Sequence, residues 1–471
     1  MKILLVQPRT GNGKGLSDVS TVEPFGLELV AGSLKPDHQV KILDFINEEI
    51  LARVLDDFQP EMCGISCSFT IDVYRTRFVA EKVKEWGDKA VVFVGGHHAS
   101  LNPGDFYDKN ISFVVIGEGE VTTRQVVESI SEGREIENIP GLAINREEDQ
   151  LFTGARKLIG NLDELPRPAR ELTREYRQHY FLGFRKPLAV LETARGCPYR
   201  CNFCSVWKFY RGRCRSMSSD RVVADMADID EEFVLISDDN FFFKFNRAME
   251  IVEKLIAEGI KKNITIQARS DSIVNSPEIL PRLKKAGVTQ VFIGFEKIDD
   301  SDLDEVNKQN TTENNEKALE LLDKHGIGVV ASFIVDPQFN RQDFKKMVQY
   351  IKKFKIQLPT FSVLTPLPGT ELYEKYKEKL ITRNWELFDL MHSVIPTKLP
   401  QKEFYRELAR LYLASYFRYD FIANGVGELG KNLLKGGGDS HNYVAAMLRA
   451  AWHFINPRTY TRKLAESSYL E

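Results

Sequence analysis

Three cysteines have the spacing that points most directly to chemistry. Cys197, Cys201 and Cys204 form a C-x3-C-x2-C pattern directly after a strand-like apolar run. Three thiolates on one short loop can ligate three irons of a [4Fe–4S] cluster and leave the fourth iron open to a substrate or cofactor. Cys214, ten residues further on, could instead fill that position and make the cluster a plain electron carrier. A structural zinc site is the alternative, although zinc knuckles usually supply paired C-x2-C units and only one is present here.

Charged side chains follow several strand-like runs later in the chain. They are Asp238 and Asp239 after 233–237, Arg269 after 263–268, and Glu296 after 290–294. Carboxylates accept hydrogen bonds from an ammonium group, and a guanidinium can clamp a carboxylate. Taken singly, each acidic residue could instead be a helix N-cap. Their recurrence at successive strand ends favours a binding site, because ligands of parallel α/β sheets bind at the carboxyl ends of the strands.

With the aromatic Phe203 before its third cysteine, the motif resembles that of the radical S-adenosylmethionine (SAM) superfamily. The resemblance implies that Cys197, Cys201 and Cys204 ligate a [4Fe–4S] cluster whose open iron is chelated by SAM. Reductive cleavage of SAM then yields methionine and a 5′-deoxyadenosyl radical. The resemblance also implies these SAM contacts: Phe203 at the adenine, Asp238 and Asp239 at the ammonium, Arg269 at the carboxylate, and Glu296 as a further polar contact.

The segments that carry these residues alternate between strands and helices. Strand-like runs lie at 3–7, 39–45, 61–66, 90–94 and 112–116, and again at 187–193, 233–237, 263–268, 290–294, 328–335 and 360–364. The pattern predicts an α/β chain with a doubly wound parallel sheet and then a (βα)6 partial barrel. We expect these segments: 1–150 for the first domain, 151–186 for a linker, 187–395 for the barrel and 396–471 for a helical C-terminal domain. Glycines are expected at the ligand-side strand ends of the first domain: Gly64, Gly95, Gly96, Gly117 and Gly119.

The first domain resembles the cobalamin-binding domain of the B12-dependent radical SAM subgroup. The candidate contacts are Ser66, Ser68, Gly95, Gly96, His97, Gly117 and Glu118. The D-x-H-x-x-G pattern that supplies an axial histidine to cobalt in many other B12 proteins is absent from this domain. The resemblance therefore implies base-off cobalamin without a protein histidine ligand. His97 could instead lie in a solvated loop. Dinucleotide binding is the rival interpretation of the domain, but G-x-G-x-x-G is missing after the first strand.

Composition excludes several classes of protein. The 471 residues are 43% hydrophobic and 28% charged, which is typical of globular domains and not of a disordered chain. The net charge of −3 gives no indication of nucleic-acid binding. No apolar run is long enough to span a membrane, and the first residues do not form a signal peptide, so we expect a cytoplasmic protein.

Residues 396–471 combine helical patterns with basic and aromatic side chains. The aromatic residues include Phe404, Tyr405, Tyr412, Tyr416, Phe417, Tyr419 and Phe421. Such helices suit peripheral contact with the inner face of a membrane. The alternative is that the same aromatic residues are buried against the barrel, and the two interpretations are compatible.

The segments 204–209 and 396–405 are most similar to the hopanoid C-3 methylase group. The resemblance implies that methylcobalamin supplies a methyl group to an unactivated carbon of an apolar substrate, a polycyclic triterpenoid lipid. An electron donor such as flavodoxin or ferredoxin is then required. An unactivated C–H bond is not acidic enough to lose a proton to a side chain, so we assign no general base. Cys214 and Tyr210 are candidate hydrogen donors or ordinary packing residues. Two alternatives stay open: a cobalamin enzyme that does not methylate, such as an oxidative cyclase, and a non-catalytic iron–sulfur or corrin sensor.

Overall fold

The computed structural model describes residues 1–9, 19–416, 456–457 and 460. The glycine-rich segment 11–15 and the aromatic residues Phe417, Tyr419 and Phe421 lie outside the described residues. Within the described part, two parallel sheets carry the predicted sites.

The first sheet is doubly wound, as the sequence predicts. Its spatial order is β3-β1-β4-β5-β6-β7-β8, with the first five strands parallel and β7 and β8 added antiparallel. Its strands are β1 (Lys2–Val6), β3 (Gln39–Leu43), β4 (Met62–Ser66), β5 (Val91–Gly95), β6 (Phe113–Val115), β7 (Leu142–Asn145) and β8 (Gln150–Phe152). Its helices are α1 (Phe25–Leu34), α2 (Glu48–Phe58), α3 (Val73–Trp86), α4 (His97–Leu101) and α5 (Gly119–Ser131).

Alternating side chains of this sheet bury both of its faces. In β1, Leu4 and Val6 belong to one apolar cluster, whereas Ile3 and Leu5 belong to another on the opposite face. Burial on both faces explains the continuous apolar runs of these strands, which is the pattern that parallel strands between two helical layers require.

Gly64 departs from the predicted pattern. It lies in the middle of β4 and not at its end. A Cβ at this position would meet the ring of Phe93 on the neighbouring strand at 2.3 Å. Gly64 therefore makes room for Phe93, and its prediction as a strand-end glycine on the ligand side is wrong.

The second sheet has six parallel strands in sequence order. They are β10 (Leu188–Leu191), β13 (Phe233–Ile236), β14 (Asn263–Ala268), β15 (Val288–Glu296), β16 (Gly328–Val335) and β17 (Leu358–Val363). Its first and last strands lie at the two edges of the sheet, so the described sheet is the predicted partial barrel and not a closed one. The helices of this part are α6 (Val206–Phe209), α7 (Ser219–Ala227), α8 (Phe245–Ala257), α9 (Ser270–Val274), α10 (Leu280–Lys285), α11 (Asp300–Glu305), α12 (Thr312–Lys324), α13 (Arg341–Lys353) and α14 (Glu371–Tyr376). A short hairpin, β11 (Ala194–Arg195) with β12 (Arg215–Ser216), follows the first strand.

The chain between the two sheets is ordered and packed. A 3₁₀ helix covers Arg170–His179, and β9 (Phe181–Leu182) pairs with β2 (Ser20–Thr21). Arg177 of this helix lies 3.2 Å from a carboxylate oxygen of Glu28 and 3.4 Å from one of Glu231. It therefore joins the first sheet's helix α1 to the barrel. The domain boundaries at 150, 186 and 395 remain predictions.

The described C-terminal helix, α15 (Gln401–Tyr416), packs on the barrel. Phe404, Tyr405 and Tyr412 are buried, and the Tyr412 hydroxyl donates a hydrogen bond to the Phe361 carbonyl at 2.7 Å. Tyr412 packs on Phe361 of β17 and Phe404 packs on Phe344 of α13, as the packing interpretation expects. None of the described helices combines the length and apolar character needed to cross a bilayer.

Candidate active site

The cysteine motif lies on a loop, residues 196–214, closed at its base by the β11–β12 hairpin. Gly196 has a φ of +91°, and a Cβ there would meet the carbonyl oxygen of Arg213 at 2.2 Å. Glycine alone fits both the conformation and the space. This turn starts the loop and sets the direction in which Cys197 leaves β11.

The three predicted cluster ligands are gathered on this loop. Cys201 is buried, and Cys197 and Cys204 are half-buried. Burial, with a contribution from the other thiols, raises the pKa of Cys197 to about 11 and that of Cys204 to about 12. Binding of iron must therefore release their protons. The charged neighbours of Cys214, by contrast, are one carboxylate and two basic side chains. Three thiols on one loop match the number of protein ligands that a cubane with one open iron needs, and their binding of the cluster remains a prediction.

The zinc alternative needs three or four ligands arranged around one ion. Among the residues that the structure describes, no three His, Cys, Asp or Glu side chains are placed to hold a single metal ion.

Asp238 and Asp239 are neighbours with different environments. The buried Asp238 carboxylate accepts hydrogen bonds from the backbone N–H groups of Thr193 at 2.7 Å and Ala194 at 2.9 Å, and from the Thr193 hydroxyl. Asp238 therefore fixes the turn that leads into the cysteine loop. Asp239 is exposed to the space around the thiols, and its charge raises the pKa values of Cys197 and Cys204. Enclosure by the protein, with the nearby Asp238, raises the pKa of Asp239 to about 6. Asp239 is thus the carboxylate of the two that is open to an ammonium group.

Arg269, predicted as a carboxylate clamp, is largely engaged by protein groups. Its Nε and Nη2 donate to Asp271, while Nη1 and Nη2 donate to the carbonyls of Lys308 at 2.9 Å and Gln309 at 2.7 Å. The guanidinium also lies 3.5 Å from the centroid of the Tyr199 ring. Arg269 therefore ties the barrel strand end to the cysteine loop, and its contact with SAM remains a prediction.

Glu296 lies beside a lysine that the sequence pattern does not reveal. Its Oε1 is 2.9 Å from Nζ of Lys308, and both side chains are buried. A Cβ at Gly294 would meet that carboxylate oxygen at 2.1 Å, so Gly294 provides the space for the pair. Both charges act on the pKa of Cys201, in opposite directions. The ion pair therefore lies next to the thiol group.

Phe203 is held by the later strand ends of the barrel. It is half-buried and packs in a small apolar cluster with Ile334, Leu364 and Leu372. This position links the cysteine loop to β16 and to the chain that follows β17, and the predicted adenine contact of Phe203 remains a prediction.

The carboxyl edge of the first sheet carries most of the predicted cobalamin contacts. Five lie at or just beyond strand ends: Ser66, Ser68, Gly95, Gly96 and Gly117. Gly96 has a φ of +113°, and a Cβ there would meet the carbonyl carbon and oxygen of Cys67 at 2.7 Å. Gly117 has a φ of +85° and faces open space, since no atom lies within 4 Å of its Cβ position. An edge of bare backbone beside open space fits the close approach of a large planar group such as a corrin.

His97 joins this edge to the cysteine loop. Its Nε2 lies 2.7 Å from the hydroxyl of Ser205, the residue after Cys204, and its ring stacks on Phe209 with centroids 4.6 Å apart. Burial lowers the pKa of His97 to about 4, so the imidazole is neutral at physiological pH. The carboxyl ends of the two sheets therefore face each other across the cysteine loop.

A buried ion-pair network makes a second connection between the sheets. Arg195, 4% exposed, contacts carboxylate oxygens of Glu118 at 2.8 Å, Glu120 at 2.6 Å and Glu192 at 2.7 Å. Glu118 also pairs with Arg215 at 2.9 Å. Its carboxylate thus meets barrel arginines, and its predicted contact with cobalamin remains a prediction. Burial raises the pKa of Glu192 to about 7 even though Arg195 lowers it.

Comparison with protein families and curated proteins identifies the kinds of domain present. The Radical SAM superfamily matches residues 191–351, and the B12 binding domain matches residues 15–127. Hopanoid C-3 methylase of Methylococcus capsulatus is 34% identical over 444 residues, which cover 92% of this chain and 83% of that protein.

Two solved structures share the fold over most of the chain. The methyltransferase TsrM of Kitasatospora setae, with cobalamin and a [4Fe–4S] cluster bound, matches with a TM-score of 0.67 at 18% identity, over 80% of this chain and 78% of that chain. The radical enzyme OxsB, with aqua-cobalamin and SAM bound, matches with a TM-score of 0.70 at 17% identity, over 95% and 70% of the two chains.

Proposed function

The chain belongs to the cobalamin-dependent radical SAM family that includes hopanoid C-3 methylase, and from this premise we propose that it is a radical C-methyltransferase. Its cofactors are a [4Fe–4S] cluster, SAM and cobalamin. Its proposed substrate is a hopanoid or a similar polycyclic lipid, methylated at an unactivated carbon.

The observation that carries this proposal is the facing arrangement of the two strand edges. His97, two residues after the end of β5, contacts Ser205 beside Cys204 at 2.7 Å, and Arg195, two residues before Cys197, contacts Glu118 and Glu120 at the start of α5. When bound, the cluster and SAM supply a 5′-deoxyadenosyl radical, and methylcobalamin supplies the methyl group. The radical and the methyl group must both reach one substrate carbon, because the reaction requires close approach. The space must also exclude water, which protects the radical from side reactions.

The residues of the chain bind and orient in this proposal. Cys197, Cys201 and Cys204 hold the cluster, and Asp239 accepts a hydrogen bond from the ammonium group of SAM. Asp238 and Arg195 act on the loop that carries these groups, since they bind backbone or carboxylate partners at its base. In this proposal the substrate carbon loses a hydrogen atom and not a proton, so none of these residues is assigned as a general base.

Similarity to hopanoid C-3 methylase supports the substrate class, because the 34% identity extends over 92% of this chain. We extend the proposal to peripheral contact of residues 396–471 with a membrane, where such a lipid is available. Flotation with vesicles of anionic phospholipid tests the membrane contact. Removal of residues 417–471 should abolish flotation, and equal flotation of the truncated chain would contradict it.

The experiment that tests the proposed function is an anaerobic reaction followed by mass spectrometry. Reconstituted protein with SAM, methylcobalamin, a reductant and hopanoid should form 5′-deoxyadenosine and a product heavier by one methylene. The Cys201→Ala variant should form neither. Formation of 5′-deoxyadenosine with a product of another mass would favour the cyclase alternative, and absence of 5′-deoxyadenosine from the wild-type chain would favour the sensor.

A further inference from the structure

The outer side of the cysteine loop carries a basic surface that the proposed chemistry does not use. The guanidinium of Arg200 lies 5.7 Å and the ammonium of Lys208 lies 5.5 Å from the centroid of the Trp207 ring. The backbone N–H of Gly212 donates to the Trp207 carbonyl at 2.6 Å, and a Cβ at Gly212 would lie 3.8 Å from a terminal nitrogen of Arg200, so the turn at 211–212 lies beside that guanidinium. Arg200, Trp207, Lys208 and Arg211 together are called the basic face below.

The basic face is directly connected to a predicted cluster ligand. The indole Nε1–H of Trp207 donates a hydrogen bond to the carbonyl oxygen of Cys201 at 3.2 Å. Arg200 is the residue immediately before Cys201, and α6 with Trp207 begins two residues after Cys204. A molecule seated on this face therefore lies beside the thiol group without entering the space between the two sheets.

The cations of the basic face are available to a partner. Arg200 and Arg211 are exposed and Lys208 is half-exposed. Arg211 donates from Nη1 to the carbonyl oxygen of Arg156 at 2.9 Å, which is a neutral acceptor. The charge of Lys208 acts on Glu374, whose carboxylate is itself paired with Lys377 at 2.8 Å.

Local charge here has the opposite sign to the chain as a whole, which carries a net charge of −3. A basic patch with a tryptophan at its centre has the features of a protein-binding surface, since Trp and Arg are the usual anchors and charge steers the encounter. Electron-transfer complexes are small and transient, and they depend on such steering more than on buried area.

We propose that the basic face is the docking surface for the reductant, a small acidic one-electron carrier protein of the flavin or iron–sulfur class. The inference rests on the proposed function, because it requires the cluster. In each encounter the carrier loses one electron and the cluster gains one. No bond of this chain forms or breaks, and no proton is transferred.

Stopped-flow reduction of the anaerobically reconstituted protein tests the proposal without any methylation. Reduced flavodoxin, reduced [2Fe–2S] ferredoxin and reduced methyl viologen are mixed with the protein in turn, and bleaching of cluster absorbance is followed. The test variant is Arg200→Glu/Lys208→Glu/Arg211→Glu. The control variant, Arg53→Glu/Lys89→Glu/Lys285→Glu, makes the same change in net charge at exposed residues of other elements. Binding of each oxidised carrier is measured in parallel by calorimetry.

We expect the test variant to be reduced about 10-fold more slowly by at least one carrier protein and to bind that carrier about 10-fold more weakly. Viologen should reduce it within about 2-fold of the wild-type rate, which also shows that the loop and cluster are intact. The wild-type rate with the carrier should fall as salt rises, because exposed charges are screened over about 8 Å at 0.15 M.

Three results would overturn the docking surface: unchanged rate and affinity in the test variant, an equal loss in the control variant, or no binding of either carrier to the wild-type chain. Failure of the proposed function has a different signature. No reductant would then bleach the protein, while the calorimetric difference between the two variants would still report on docking.

Discussion

The inner and outer faces of the cysteine loop use charge in different ways. On the inner face, Arg195 is buried and contacts three carboxylates, two of them at the start of α5. On the outer face, Arg200 and Arg211 are exposed, and Glu374, on which the Lys208 charge acts, is paired with Lys377. Buried, paired charges fix a geometry, whereas exposed charges steer partners. We therefore expect inner-face changes to affect cofactor binding and stability, and outer-face changes to affect the delivery of electrons alone.

The largest expected effect comes from the thiols of the loop. Cys201→Ala should lower the formation of 5′-deoxyadenosine by a factor on the order of 10³ or more, because the cluster loses one of three ligands. Iron analysis, absorbance and quantification of 5′-deoxyadenosine measure the result. Cys214→Ala is the matched control and should retain the cluster. Loss of the cluster from Cys214→Ala, with retention in Cys201→Ala, would reverse the assignment.

The second expected effect tests the connection between the sheets. Arg195→Met should leave Glu120 and Glu192 without their arginine and Glu118 with Arg215 alone, at a cost of about 3–5 kcal/mol in unfolding free energy. Activity should fall about 10- to 100-fold, as for residues that support ligands. Arg195→Lys keeps the charge but loses the planar set of guanidinium donors, so its stability and activity should lie between those of the wild type and Arg195→Met. Denaturant unfolding measures the stability and 5′-deoxyadenosine assays measure the activity. A fully active and equally stable Arg195→Met variant would contradict a structural role for the inner-face charges.

A smaller effect separates the two adjacent aspartates. Asp239→Asn should weaken SAM binding about 10-fold with little change in stability, because a charge-assisted hydrogen bond is lost. Asp238→Asn should instead destabilise the chain by about 1–3 kcal/mol, because buried backbone donors lose a carboxylate acceptor. Calorimetric titration with SAM and thermal unfolding distinguish the two. The opposite assignment of the two effects would show that Asp238 and not Asp239 meets the ligand.

The smallest expected effect is a pH dependence at Glu192. Burial raises its pKa from 4.5 to about 7, so the folded chain holds a proton there that the unfolded chain has released. Stability should therefore fall as pH rises from about 4.5 to about 7. Glu192→Gln should flatten this slope by on the order of 2 kcal/mol between pH 5 and pH 7. Urea unfolding at a series of pH values measures it, and identical slopes in the two proteins would exclude Glu192 as the cause.

The strands and the cysteine motif were accessible from sequence because their signals are local. Continuous apolar runs predict β1, β4 and β5 within a few residues, and the spacing of Cys197, Cys201 and Cys204 predicts their grouping on one loop. The structure adds what distinguishes Asp238 from Asp239, since only the fold brings Thr193 and Ala194 to the Asp238 carboxylate.

Partners far apart in the chain could not be predicted in this way. Arg195 meets Glu118 and Glu120 across more than seventy residues, and Lys308 reaches Glu296 only because the chain after β15 turns back. Gly64 is misinterpreted from the sequence for the same reason. A glycine near a predicted strand end suggests a ligand, but its space is taken by the ring of Phe93 on the neighbouring strand. Patterns of residue type indicate which groups can do chemistry, whereas long-range packing decides which of them are free to do it.

The most direct test of the account is electron paramagnetic resonance of the reduced, reconstituted protein with and without SAM. We predict about four irons per chain and a cluster signal that shifts when SAM is added, because the open iron gains a ligand. The shift should persist in Cys214→Ala, and the signal should be lost in Cys201→Ala. A cluster signal that SAM leaves unchanged, or one that depends on Cys214 as a fourth thiolate, would contradict the account.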